Sequence, residues 1–275
     1  MTAPMSFADY LSIPAVNWSS LKKLAISPLH YRHHMDSPPT PPTDAMIIGS
    51  ATHKAVLEGD DFWNEYAVWT GGTRRGKEWD AFVEASGSRE ILREQDVDRV
   101  QALALSVQRH PGCARYLDGP GINELTIEWN DLPTGIACKG RADRVTDDGT
   151  LIDLKTTRDL TPRPFMAASC RLGYHAQLAF YADGLRASGY DVRKVVILAV
   201  ESSAPYDCGV FVLGEDVLYA GREEYRALLR RLAECRESGR WPGRYEDEQS
   251  LELPEWARPD IDGDEDGADY DLEDM

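Results

Sequence analysis

A chain of 275 residues with 42% hydrophobic and 28% charged residues can bury a substantial core, which excludes a disordered or fibrous protein. Its net charge of −17 excludes a broad basic surface, although nine acidic residues lie between Asp260 and Met275 and the remainder carries −8 (30 basic against 38 acidic residues). The five cysteines never form a C-x-x-C pair, and no apolar run approaches the roughly 18 residues of a membrane helix, so neither a metal–cysteine site nor a membrane span is expected.

Residues 1–44 are predicted to form a helical segment that packs on the main domain. Asn17 is an N-cap before a helical pattern, and Ser27-Pro28 begins a second short helix that ends near His34. Four prolines then make residues 36–43 a loop.

The next predicted helix covers residues 45–57, which are apolar at helical spacing and include His53. A strand is predicted next at residues 66–69, followed by a polar loop at 70–77. Two helices are predicted after the loop, at residues 78–86 and 95–108.

The polar loop has two competing interpretations. From Gly71 to Lys77 it satisfies the first seven positions of a phosphate-binding P-loop, but Glu78 stands where that motif needs a Ser or Thr hydroxyl, and its carboxylate would repel phosphates. We therefore interpret Arg74, Arg75 and Lys77 as DNA-binding residues, with a solvated basic loop as the alternative.

The second half of the chain is rich in strands. Strands are predicted at residues 124–129, 136–145, 151–156, 195–201 and 209–213, with helices at 171–185 and 215–237. This order predicts one α/β domain over residues 45–258, with a mixed central sheet flanked by helices, and an acidic disordered tail at 259–275. The tail fits a calcium-loop pattern by composition, but Pro259 and the end of the chain leave no room for the flanking helices that such a loop needs.

Two strands that meet at an Asp-Gly turn, residues 148–149, carry the most informative side chains. Asp153 and Lys155 share one face of the second strand, because side chains alternate along a strand. A three-residue loop over residues 148–150, or a bulge, would set Asp143 opposite Lys155 on that face, whereas a two-residue turn would point Asp143 away. Two carboxylates and an ammonium on a buried strand pair predict a site for a hard divalent cation beside a phosphate.

This pattern resembles the core motif of the PD-(D/E)XK nuclease superfamily, with Arg-Ala-Asp143 in place of Pro-Asp and Asp153-x-Lys155 as the second half. Residues 48–58 are similar to the G-x-x-x-H helix of RecB-like and exonuclease VIII (RecE-like) nucleases, and residues 174–181 to their Q-x-x-x-Y motif. The order of these motifs is more specific than any one of them alone.

The resemblance implies a restriction-endonuclease-like core and a site that holds one or two Mg²⁺ or Mn²⁺ ions. It implies metal ligands at His53, Asp143 and Asp153, a Lys155 that positions water or offsets charge on the phosphate, and a Gln177 and Tyr181 that orient the DNA strand. Glu124 is a further candidate that faces or supports the metal, and a solvated strand glutamate is equally compatible with the pattern.

The resemblance further implies a DNA exonuclease, encoded by a phage or prophage, that degrades linear double-stranded DNA from its ends, 5′→3′, for recombination by strand annealing. A single-strand annealing protein is then the expected partner, and ring-shaped homo-oligomers occur among such enzymes. Without a signal-peptide pattern the protein is expected in the cytoplasm of the bacterial host. The alternatives are an endonuclease of the same superfamily and a non-catalytic DNA-binding module on the same fold.

Overall fold

The computed structural model describes residues 5–258. The predicted acidic tail and its calcium-loop pattern lie outside the described residues. In the described part no helix is long and apolar enough to cross a membrane, and all five cysteines are free thiols.

Helices dominate the first part of the chain. They are α1 (Phe7–Ser12), α2 (Trp18–Leu21), α3 (Pro28–Asp36), α4 (Asp44–Leu57), α5 (Phe62–Glu65), α6 (Lys77–Ser86), α7 (Glu94–Arg109) and α8 (Pro111–Leu117), with short 3-10 turns at Lys22–Ala25 and Gly59–Asp61. The predicted caps are present, since the Asn17 carboxamide accepts the Ser20 N–H at 2.9 Å and Ser27 accepts the His30 N–H at 3.2 Å.

A small β-α-β unit projects from this helical part. Strand β1 (Tyr66–Trp69) pairs in parallel with β2 (Glu90–Arg93), and α6 connects them. The strand predicted at residues 66–69 and the helix predicted at 78–86 are present, whereas β2 was not predicted because its four residues are too few to show a period.

The main sheet has five strands in the order of the chain. They are β3 (Gly121–Asn130), β4 (Ala137–Thr146), β5 (Thr150–Thr157), β6 (Lys194–Glu201) and β7 (Cys208–Val212). Only β5 and β6 pair in parallel, so the sheet is mixed. One face packs on α10 (Tyr174–Ala187) and α11 (Glu215–Ser238), and the other on α4, α7 and α8. This arrangement confirms the predicted fold class.

One predicted helix is in fact two. Residues 171–185 were expected to be continuous, but α9 (Pro162–Leu172) ends and α10 begins at Gly173, whose φ of 72° is left-handed. A left-handed residue stops a helix, and glycine adopts that conformation without steric cost. A Cβ at Gly173 would also meet the Trp18 ring at 2.8 Å.

The turn between β4 and β5 also differs from the prediction. Val145 pairs with Leu151 and Arg144 with Ile152, so the loop comprises residues 147–149, one residue earlier than expected. This register aligns Asp143 with Asp153 rather than with Lys155, and the carboxylate of Asp148 fixes it by accepting the Thr150 N–H at 3.2 Å. The loop still has three residues, so all three side chains keep the common face that the prediction required.

Helices α10 and α11 approach closely at Gly221, where an added Cβ would overlap the backbone carbonyl of His175. Gly→Ala in a helix ordinarily stabilises by about 1 kcal/mol, but here we expect Gly221→Ala to lower the free energy of unfolding by about 1–3 kcal/mol through overpacking. Urea denaturation checks this, with Gly59→Ala as the control because that site has open space around it. A stabilised Gly221→Ala protein would contradict the close helix contact.

Candidate active site

A buried ion pair lies on β5. The Lys155 Nζ is 2.7 Å from the Asp153 Oδ2, and the Asp153 side chain is only 2% exposed. Burial raises the pKa of Asp153 to about 6 in spite of the Lys155 ammonium. Burial alone would lower the pKa of Lys155, but the carboxylates of Asp153 and Asp143 outweigh it and raise that pKa.

Asp143 on β4 takes over part of the sheet's hydrogen bonding. The ladder between β4 and β5 stops at the Arg144–Ile152 pair, and the next free N–H on β5, that of Leu154, donates to the Asp143 carboxylate at 2.7 Å. Burial raises the pKa of Asp143, and the Lys155 ammonium and the Leu154 N–H partly offset this effect. The side chain is thereby fixed at the place where the two strands stop pairing.

Two side chains join Asp143 in a cluster with metal-ligand character. One donor atom from each of His53, Glu124 and Asp143 lies within 4.8 Å of the others, and the His53 Nδ1 is 3.3 Å from the Asp143 Oδ2. Burial lowers the pKa of His53, with Lys155 acting in the same direction, so the imidazole is neutral at pH 7 and its lone pair is available. A ligand set of one nitrogen and two carboxylate oxygens fits Mn²⁺. The same set also fits Mg²⁺ when further oxygen ligands complete the coordination.

Glu124 reaches the cluster through an unusual backbone conformation. Its φ is 50°, in the left-handed region that residues other than glycine rarely adopt, and it is skipped in the β3–β4 ladder between the Asn123–Arg144 and Leu125–Ala142 pairs. It therefore faces Asp143 across the two strands. Burial and the Asp143 charge raise the pKa of Glu124, while Arg141, whose Nε is 2.7 Å from the Glu124 Oε2, counteracts them.

The predicted and observed clusters overlap but are not identical. The structure brings His53 and Asp143 together in this cluster, whereas the Asp153 carboxylate is directed to Lys155; the metal-ligand roles themselves stay predictions. Glu124 is a full member. Two supporting side chains were missed, Arg141 and Tyr174, and each shows one signal in the sequence: Arg141 is two residues before Asp143 on the same strand face, and Tyr174 is three residues before Gln177 on the same helix face.

The position of His53 depends on the packing of α4 against β5. Gly49 is one helical turn before His53 on the same face, and an added Cβ at Gly49 would contact the Thr156 hydroxyl at 3.5 Å. This is an ordinary van der Waals distance, so α4 packs directly on the strand that carries Asp153 and Lys155.

Helix α10 presents aromatic side chains to the same place. The Tyr174 ring centroid is 5.0 Å from the Lys155 Nζ, a cation–π contact. Tyr181 is buried, and burial raises its pKa strongly, while a hydrogen bond with Gln177 acts against this rise. Gln177 and Tyr181 therefore contact each other beside the site, while the cluster itself contains neither of them.

An open groove of about 1210 Å³ leads to the cluster, whose three members all line it. Its lining includes residues of α1, α2, α3, α4, β3 and β4, together with Lys23, Tyr181 and Arg236. The basic loop residues Arg74, Arg75 and Lys77 do not line this groove. Arg74 instead donates to the Ile91 carbonyl at 2.8 Å and lies 5.5 Å from the Trp79 ring centroid, so it holds the β-α-β unit together.

Asp153 makes the stability of the metal-free protein depend on pH. Its folded pKa of about 6 lies above the ordinary 3.8, so its contribution to stability is fully present below the unfolded pKa and is lost as the pH rises through 6. At 1.36 kcal/mol per pKa unit, the difference between the folded and the ordinary pKa of Asp153 corresponds to roughly 3 kcal/mol of unfolding free energy.

We expect wild type in EDTA to lose about 3 kcal/mol more unfolding free energy than Asp153→Asn between about pH 4 and pH 7. Urea denaturation across this range measures it. The raised pKa values of Asp143 and Glu124 have the same sign and act in both proteins. The difference between the two proteins therefore reports the Asp153 carboxyl together with its effect on Lys155 and His53. Parallel pH profiles would contradict the prediction.

Comparisons with known proteins agree with this architecture. Residues 17–254 match the model of a family described as a PDDEXK-like domain of unknown function (DUF3799). A crystal structure of a candidate exonuclease from Eubacterium rectale is 14% identical with a TM-score of 0.65, covering 92% of this chain and 96% of that one. A phage-related exonuclease from Haemophilus somnus 129PT is 16% identical with a TM-score of 0.36, over 84% of this chain and 98% of that one. No curated protein matches the chain.

Proposed function

The chain belongs to the DUF3799 family of PDDEXK-like domains, and from that premise we propose that it is a metal-dependent DNA exonuclease that hydrolyses phosphodiester bonds of linear double-stranded DNA. The observation that carries the proposal is the meeting of a His-Glu-Asp cluster with a buried Asp–Lys ion pair where β4 and β5 stop pairing. The candidate exonuclease from Eubacterium rectale shares the fold over nearly the whole chain and supports this reading by analogy.

In the proposed site, His53, Glu124 and Asp143 would hold a divalent cation, and the role of Asp153 as a further ligand rests on the family resemblance. Such an ion supplies Lewis-acid polarisation of the phosphodiester and acidifies a water molecule. Lys155 contributes a fixed positive charge next to the developing negative charge of the phosphate. Tyr174 holds the Lys155 ammonium in place, and Arg141 keeps Glu124 directed at the cluster.

Several finer features of the proposal come from the family resemblance alone. They are the 5′→3′ direction, the role in recombination by strand annealing, an annealing protein as partner and a ring-shaped oligomer. The roles of Gln177 and Tyr181 in orienting DNA belong to the same group. DNA binding by Arg74, Arg75 and Lys77 rests instead on the positive charge of these residues, which are exposed on the β-α-β unit.

The test compares linear with covalently closed circular duplex DNA, each with Mg²⁺, Mn²⁺ or EDTA. Loss of the linear DNA alone, in the presence of either metal and not in EDTA, is the expected result. Cutting of the circle would replace the exonuclease by an endonuclease of the same fold. DNA binding without cleavage under any metal would favour a non-catalytic binding module.

A further inference from the structure

One wall of the groove carries positive charge without a matching carboxylate. Lys22, Lys23 and Arg236 form this cationic wall, and among residues 5–258 none of the three has a carboxylate within ion-pair distance. Lys23 and Arg236 line the groove itself. Burial lowers the pKa of Lys22, and the ammonium groups of Lys23 and Lys155 lower it further. Like charges therefore face each other here, and an anion is the missing partner.

The carboxylates that line the groove are already engaged. The Lys54 ammonium is 2.7 Å from the Glu58 carboxylate and 2.6 Å from that of Glu65. Glu124 and Asp143 belong to the metal cluster. The anion that neutralises the cationic wall therefore comes from outside residues 5–258, either from another part of the chain or from a ligand.

The chain itself contains a strong polyanion. Residues 260–275, here called the acidic segment, include nine acidic and no basic residues, whereas the remainder of the chain carries −8 (30 basic against 38 acidic residues). A surface of net negative charge repels such a segment, and a group of cations without carboxylate partners attracts it. Charge complementarity thus favours the cationic wall as the contact of the acidic segment.

The chain that leads to the acidic segment is fixed next to the same groove. The Leu29 N–H of α3 donates to the Pro242 carbonyl at 3.0 Å. The Trp241 ring is stacked on Tyr31, a groove residue, with 5.8 Å between their centroids. The roughly 18 residues from Pro242 to Asp260 span at most about 60 Å, whereas the whole of α3 is only about 14 Å long. The acidic segment can therefore reach back to the cationic wall.

We propose that the acidic segment docks on the cationic wall of the groove in its own chain. Because the segment is tethered, it acts at an effective concentration of about 1 mM, and weak ionic contacts suffice to hold it. DNA carries a longer row of charges and releases more counterions, so it displaces the segment. The docking is independent of the proposed function. Its consequence, that DNA must displace the segment before it reaches the metal cluster, rests on the proposed function.

The test treats the full-length protein, without DNA or metal, with a water-soluble carbodiimide, which joins a carboxylate to an amine in contact with it. Mass spectrometry of the digested protein identifies the lysines that become joined to the acidic segment. We expect Lys23 to be joined about tenfold more often than Lys77, because docking raises the local concentration of carboxylates at Lys23. Lys77 is the control, since it is exposed and does not line the groove.

Arg236 provides a variant that leaves the joined lysine in place. A guanidinium does not react with the carbodiimide-activated carboxylate, so Arg236→Gln changes only the attraction. It should lower the yield at Lys23 about threefold, the usual effect of one exposed ion pair. Arg193→Gln is the matched control, because Arg193 forms an exposed ion pair with Asp191 away from the groove.

Equal yields at Lys23 and Lys77 would overturn the inference, and so would a wild-type yield in Arg236→Gln. A yield at Lys23 that rises with protein concentration would assign the segment to a second copy of the chain and also overturn it. Cleavage of linear DNA by wild type is measured separately. If Lys23 is joined preferentially in a protein that neither binds nor cleaves DNA, the docking is confirmed and the proposed function falls; if wild type cleaves and the yields are equal, only the docking falls.

Discussion

Asp143→Asn is expected to abolish metal-dependent cleavage and metal binding while leaving the metal-free fold as stable as wild type or more so. The asparagine oxygen can still accept the Leu154 N–H that Asp143 accepts at 2.7 Å. The substitution removes a negative charge that raises the pKa values of Glu124 and Asp153, so it relieves repulsion among buried carboxylates. A loss of several kcal/mol of transition-state stabilisation corresponds to a fall in rate of about a thousandfold or more.

Thermal unfolding with and without Mn²⁺ measures the part of this prediction that concerns metal binding and the stability of the fold. A ligand at a hundred times its dissociation constant stabilises the folded state by about 2.7 kcal/mol, and wild type should show a gain of this kind that Asp143→Asn lacks. Asp191→Asn is the control, because Asp191 forms an exposed ion pair with Arg193 away from the groove. A normal metal-induced gain in Asp143→Asn would remove that residue from the ligand set.

Lys155→Ala is expected to lower the rate of cleavage by roughly a hundredfold to a thousandfold, the usual loss when one group that stabilises transition-state charge is removed. Metal-induced stabilisation should persist, because the cluster of His53, Glu124 and Asp143 does not include the lysine. The fold should tolerate the change, since Asp153, left without its partner, has a pKa already near 6 and can take up a proton.

The two variants together distinguish a ligand from a charge-stabilising group. Single-turnover cleavage and metal titration should show both functions lost in Asp143→Asn and cleavage alone lost in Lys155→Ala. Lys194→Ala is the matched control for the second variant: it is also a lysine of the central sheet, it is hydrogen-bonded to the Tyr116 hydroxyl, and it does not line the groove. Full cleavage by Lys155→Ala would refute the proposed role.

The sequence sufficed for the parts of the fold that have a strong local period. The helix with His53, the strand with Asp153 and Lys155 and the long helix α11 were predicted to within two residues, because their apolar spacing extends over several turns or pairs. The short elements α1, α5, β2 and α8 were missed, and so were residues 162–170 of helix α9. Elements of four to seven residues contain too few repeats for their period to be recognised.

The candidate site likewise contains residues whose grouping the sequence predicts and features that it does not predict. Asp143, Asp153 and Lys155 could be grouped from strand alternation, since each lies on a regular strand. The left-handed conformation of Glu124 has no local signal, because the sequence there, Asn-Glu-Leu, contains no glycine. The register of the turn between β4 and β5 depends on which side-chain carboxylate or hydroxyl accepts a hydrogen bond from the loop backbone. The pattern of hydrophobic residues does not encode that choice.

Arg141 has a practical consequence for anyone who prepares this protein. The same guanidinium that holds Glu124 also donates to the Met5 carbonyl at 3.3 Å. An affinity tag or fusion partner added at the amino end would therefore join the chain within a few residues of a side chain that orients the cluster. Comparing the activity of protein that carries an amino-terminal tag with the activity after its removal is therefore a simple control for weak activity.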